Sequence, residues 1–184
     1  MGDEYMKRDI WLWQLTGFAF TCLAGTLLHF LYEWTGESIL AAPFSGVNES
    51  TWEHMKLLYF PLLLFAFIQR LLWGRGGSFW CVKLVGTVSG LLSIPLLFYT
   101  YNGAIGKSPD ALNIAIFFIS AAVAFTVEWA LFKKDQLPLC APRLSFALLI
   151  LTGILFIVFT FAPPLLPIFK DPLSASYGIE KGLL

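Results

Sequence analysis

The sequence predicts an all-α integral membrane bundle of five transmembrane helices, with a cytoplasmic N-terminus and a C-terminal tail outside. Three observations predict it. Of the 184 residues, 58% are hydrophobic and only 13% charged, whereas soluble domains average about 45–50% and about 25%. The mean hydropathy is +0.73. Five apolar runs match the roughly 20 residues that a helix needs to cross a hydrocarbon layer, and the basic residues fall unevenly among the connections. Lysine plus arginine balance aspartate plus glutamate at 12 each, so no basic surface exists to hold a nucleic-acid backbone. The partner that composition predicts is the lipid bilayer, and the location is the plasma membrane in multi-pass form.

The first span covers 10–34. Lys7 and Arg8 precede it as in a secretory signal, but the run is too long for a signal core and no small-residue cleavage site precedes Gly25, so it is expected to remain as a span. Gly17, Thr21, Gly25, His29 and Glu33 recur every fourth residue along it. That stripe stays on one broad face, and small residues on it admit another helix closely.

The second span covers 51–73 and opens on Ser50-Thr51-Trp52-Glu53. This is the capping-box pattern, in which the serine caps a backbone N–H and the glutamate reaches back. Asn48 is an alternative cap, and Glu49 gains from the positive end of the helix dipole. The third span, 78–101, follows the polar turn Trp73-Gly74-Arg75-Gly76-Gly77 and carries Gly86-x-x-x-Gly90 and Pro95, read as a close-packing face and a kink. The fourth, 111–132, follows Ser108-Pro109-Asp110, a cap with proline at the first helical position. The fifth, 144–162, follows Leu137-Pro138, and the proline-rich tail 163–184 is expected to be extended.

Orientation comes from the basic residues. With the N-terminus inside, Lys7, Arg8, Arg70, Arg75, Lys83, Lys133, Lys134 and Arg143 are internal, eight of the twelve, against Lys56, Lys107, Lys170 and Lys181 outside. Trp11, Trp13, Trp73, Trp80 and Trp129 are then anchors at the inner interface, and Trp34, Trp52, Tyr59, Tyr99 and Tyr101 at the outer one. Cys22, Cys81 and Cys140 form no C-x-x-C pair, so neither a redox motif nor a thiolate zinc site is readable.

Polar chemistry gathers at the outer end of the first two spans. His29, Glu33, Glu49, Glu53 and His54 are the candidate metal ligands. His29/Glu33 and Glu49/Glu53 are each spaced i, i+4 on a helical face, and mixed imidazole and carboxylate donors suit zinc, iron or manganese. Haem held by both histidines ranks below a divalent ion, given the surrounding carboxylates. Asn48, Ser50 and Asp171 are supporting residues, Asp171 being brought back if the tail crosses the mouth. The apolar connection 37–47 is expected to lie in the interface or dip toward the bundle. Lys83 and Glu128 are expected to form an inner ion pair, with a proton relay as the alternative.

Three stretches carry a family resemblance. They are Val47-Asn48-Glu49-Ser50-Thr51-Trp52-Glu53-His54-Met55-Lys56-Leu57, the tail Pro167-Ile168-Phe169-Lys170-Asp171-Pro172 with Tyr177-Gly178-Ile179, and the segment from His29 to Trp34. Together they resemble an uncharacterised family of small bacterial multi-span membrane proteins, over most of the chain. That family carries proline where this chain has Gly46, a difference of loop stiffness. The resemblance implies the five-span fold and no activity.

Four functions fit the residues. The first is divalent-metal binding at the outer mouth, for transport or chemistry. The second is a carrier or channel for a small ion, solute or proton, which requires a continuous polar path from Glu33 to Glu128. The third is an integral-membrane enzyme on lipid substrates, with Glu53 or His54 as general base. The fourth is a structural or assembly subunit.

Overall fold

The computed structural model describes residues 2–73, 77–106, 110–134 and 140–179, with side chains from residue 9 onward except that of residue 110. The expected features at 74–76, Lys107, Ser108-Pro109, Leu137-Pro138 and Lys181, and the side chains of Lys7 and Arg8, lie outside this description. Five helices form, α1 (Gly2–Trp34), α2 (Thr51–Trp73), α3 (Phe79–Ile105), α4 (Asp110–Phe132) and α5 (Pro142–Phe161), and a single 3₁₀ turn, Pro167–Phe169, follows them. No strand occurs among the described residues. All five helices are long and apolar enough to cross a membrane, so the chain is a polytopic membrane protein. Leu23, Leu71, Leu92, Leu96, Leu151 and Ile154 stand exposed around the bundle. A belt of that kind belongs against acyl chains, because soluble monomers rarely expose contiguous apolar patches so large.

The helix ends follow from local chemistry. α1 extends to Gly2, about two turns before the apolar run begins, because the Lys7/Arg8 segment is helix-compatible. It ends in a Schellman motif: the Gly36 N–H donates to the Glu33 carbonyl at 3.0 Å and the Glu37 N–H to that of Tyr32 at 2.8 Å. Gly36 supplies the left-handed φ of 66° that this motif requires. α3 continues four residues past the expected end, to Ile105, and stops where Gly106 adopts φ 91°. α5 begins at Pro142, where a missing N–H costs nothing.

The helices alternate in direction. One end of the bundle, called here the histidine end, collects the finish of α1, α3 and α5 and the start of α2 and α4. The N-terminal end collects the opposite termini. α3 packs most extensively against α4, and α1 lies across α2 and α4. Glycine makes these approaches close. A Cβ at Gly17 would collide with the rings of Phe65 and Phe125, and one at Gly25 with the ring of Phe117. A Cβ at Gly86 would collide with the Glu128 side chain, so α3 leaves the space in which that carboxylate is buried.

The N-terminal end is closed by covalent, ionic and aromatic contacts. Lys83 Nζ lies 2.6 Å from Glu128 Oε2, with both side chains buried. The rings of Phe65, Phe79, Phe125 and Phe132 stand 5.6–5.8 Å from the ammonium. Cys81 is bonded to Cys140, tying α3 to the segment before α5. The sequence offered no spacing signal for this disulfide.

Two interfacial anchors expected from the sequence are core residues instead. Tyr59 is fully buried and its hydroxyl donates to the Leu149 carbonyl. Trp52 packs among Phe156, Phe159 and Phe169. The reason is partnership: α5 and the tail cover the face that would otherwise meet headgroups.

Candidate functional site

The stripe on α1 delivers His29 to the start of α2. Because Gly25 admits α4 and the Leu57 carbonyl at close range, the next turn of α1 sets the His29 ring 5.7 Å from that of His54, centroid to centroid. Glu49 stands between them, its carboxylate 3.8 Å from His29 Nε2 and 3.5 Å from His54 Nε2. His54 Nδ1 is 3.0 Å from the Ser50 carbonyl. A carbonyl accepts only, so Nδ1 carries the proton and Nε2 is the nitrogen presented to Glu49. The connection passes close by: a Cβ at Gly46 would stand 3.7 Å from His29 Nδ1.

Glu53 is not part of this trio. Its carboxylate turns inward to Lys56, with Nζ 2.5 Å from Oε2 and both side chains buried. It also accepts from the Val47 N–H at 3.1 Å and from the Thr160 hydroxyl at 3.4 Å. Lys56 donates further to the Ala42 carbonyl and to Thr160 Oγ1, both at 2.8 Å. The capping box is therefore half reciprocated: the Glu53 N–H donates to Ser50 Oγ at 3.3 Å, while Asn48 Oδ1 takes the Ser50 N–H at 2.9 Å. Glu33 and Glu37 are exposed. The five expected ligands are thus divided, and no group of three or more His, Cys, Asp or Glu among the described residues is placed to hold a metal ion. Sequence alone could have warned of this, because Glu53 and Lys56 are spaced i, i+3 and neighbours on a helix.

The connection dips into the bundle. Ala41, Ala42 and Ser45 are buried while Ile39, Leu40 and Phe44 stay exposed, which lets the Ala42 carbonyl reach Lys56.

The tail also folds back rather than running extended. Lys170 and Tyr177 form an antiparallel bridge, and the Asn48 amide donates to the Gly178 carbonyl at 2.9 Å. Asp171 caps its own turn, accepting from the Leu173 N–H at 2.7 Å and the Ser174 hydroxyl at 2.9 Å. Its carboxylate is used there and does not join the histidines.

These elements enclose a cavity of about 300 Å³ at the histidine end. Glu49, Thr51 and His54 of the α2 start line it, with Ile94, Phe98 and Asn102 of α3, Asn113, Ile116 and Phe117 of α4, and Pro172 and Leu173 of the tail. Asn102 and Asn113 were missed by sequence reasoning. Their only signal was an amide near the end of an otherwise apolar run.

Below the cavity Leu58, Leu62, Leu91 and Ala121 are buried together with the polar side chains of Thr21, Thr87 and Ser120, and Gln14 and Gln69 are buried further toward the N-terminal end. Glu33, from which the polar path of a channel is expected to start, is exposed.

No curated protein and no solved structure matches the chain. The family of unknown function DUF6512 matches residues 4–179, which include all five helices, the His29–Glu49–His54 trio and the docked tail, and the chain belongs to that family.

Proposed function

We propose that this membrane protein binds a small amphipathic solute in the cavity at the histidine end. The observation that carries the reading is the cavity: at about 300 Å³ it reaches the lower range of small-molecule sites, roughly 300–1,000 Å³. Its composition fits the same class. Ile94, Phe98, Ile116, Phe117 and Leu173 supply an apolar wall, and Glu49, His54, Asn102 and Asn113 supply a few fixed polar groups. The metal reading loses two of its five ligands, since Glu53 is held by Lys56 and Glu33 is exposed.

The plasma membrane and the inside placement of the N-terminus also belong to this proposal. Lys56 and Lys83 are both inside the bundle, so each side of the charge count loses one and the bias keeps its direction. The Cys81–Cys140 disulfide pulls the other way, because disulfides persist in oxidising compartments.

The test is a set of six-carbon probes, hexylamine, hexanol and hexanoate, with thermal unfolding of the detergent-solubilised protein as readout. At 100 times its Kd a ligand stabilises by about 2.7 kcal/mol, so at least one probe should raise Tm by several degrees in the wild type. Ile116→Trp, which fills the cavity, should abolish the shift. Equal shifts in both proteins, or none in the wild type, contradict the reading.

A further inference from the structure

One corner of the cavity sets the Glu49 carboxylate beside the His54 imidazole. His54 Nδ1 is committed to the Ser50 carbonyl at 3.0 Å, so in the neutral ring Nε2 carries a lone pair, and it faces a carboxylate oxygen 3.5 Å away. The second imidazole adds its Nε2 at 3.8 Å from the other oxygen. A donor placed between the Glu49 carboxylate and the His54 lone pair would satisfy both. Glu49 stands just before α2, at the positive end of the helix dipole, and neither lysine nor arginine is among the residues lining the cavity. Phe98 and Phe117 in the wall offer apolar surface to a chain.

We propose that the cavity takes a primary ammonium group carried on an apolar body. Glu49 is the counter-ion, and its carboxylate and the His54 Nε2 accept from the ammonium N–H groups. A free alkylamine and the ethanolamine headgroup of a lipid share this chemistry. The proposal rests on the reading of the cavity as a solute site and gives that solute its class.

The experiment measures binding of hexylamine, hexanol, hexanoate and zinc chloride, each alone, to the full chain in nanodiscs of phosphatidylglycerol. Hexylamine should bind about tenfold to a hundredfold more tightly than hexanol, the range of a charge-assisted hydrogen bond, with hexanoate the weakest. The preference should disappear in Glu49→Gln and narrow in His54→Ala, which removes one acceptor and keeps the carboxylate. Unfolding of Glu49→Gln within a few degrees of wild type shows that the fold is intact. Equal binding of hexylamine and hexanol to the wild type, or a preference that survives Glu49→Gln, overturns the ammonium assignment while leaving the cavity reading in place. Glu49-dependent binding of zinc without that of hexylamine overturns it in favour of a metal. Failure of every probe overturns both readings. In discs containing phosphatidylethanolamine, weaker hexylamine binding by the wild type than in phosphatidylglycerol, with Glu49→Gln unaffected, identifies the lipid headgroup as the source, and an unchanged affinity identifies the free amine. Either result supports the assignment.

Discussion

At the histidine end the Glu53–Lys56 pair is 2.5 Å apart, and each partner has further hydrogen bonds, from Val47 and Thr160 to the carboxylate and to Ala42 and Thr160 from the ammonium. At the N-terminal end the Lys83–Glu128 pair, at 2.6 Å, sits within four phenylalanine rings, and Glu128 Oε1 has no hydrogen-bond partner among the described residues. Both pairs are buried, but they serve different purposes. The first joins the 37–47 connection, α2 and α5, and so fixes the α2 start beside which Glu49 and His54 stand. The second neutralises two charges inside an apolar shell and closes that end, next to a disulfide. At the N-terminal end the Gln14 and Gln69 amides are also buried without a hydrogen-bond partner among the described residues, so unused polar groups are not confined to the histidine end.

This contrast can be broken one partner at a time. Lys83→Met leaves Glu128 buried and unpaired, and should cost about 3–5 kcal/mol of stability in detergent, with most of it recovered in Lys83→Met/Glu128→Leu. Lys56→Met should cost less, about 2–3 kcal/mol, because Glu53 keeps the Val47 and Thr160 hydrogen bonds. If the two single variants lose equal stability in chemical unfolding, the distinction between the pairs fails. Asn48→Ala removes the hydrogen bond to Gly178 and should cost about 1 kcal/mol, seen as faster proteolysis of the tail with the bundle melt little changed. Ser174→Cys lies on the exposed turn of the tail and, through the lost hydrogen bond to Asp171, should cost no more than about 1 kcal/mol. Its labelling in intact cells by a membrane-impermeant maleimide reports that the histidine end is outside, and protection until lysis reports the reverse, in keeping with the disulfide.

The sequence and the structure agree where a signal is local or periodic. Hydropathy located all five helices, and the α2 start agrees to the residue because Ser50 is a side-chain cap. The four-residue stripe on α1 also carried real information, since Gly17 and Gly25 are the points of close approach that bring His29 to His54. What remained unread depends on partners distant in the chain. Glu53 and His54 are adjacent in sequence and look alike as candidate ligands, yet they are about 100° apart on the helix, so one meets Thr160 of α5 and the other the cavity. The Tyr59 hydroxyl finds a carbonyl 90 residues away, and the Cys81 thiol a partner 59 residues away. No window along the chain contains those pairs.

The cavity assignment is tested most directly by an experimental density map of the protein with 6-bromohexylamine. The account predicts an anomalous bromine peak among Ile94, Phe98, Ile116 and Phe117, and the ammonium within about 3 Å of the Glu49 carboxylate. A collapsed cavity, or a probe bound only among the lipid-facing helices with Glu49 paired to His29 and His54 alone, would contradict it.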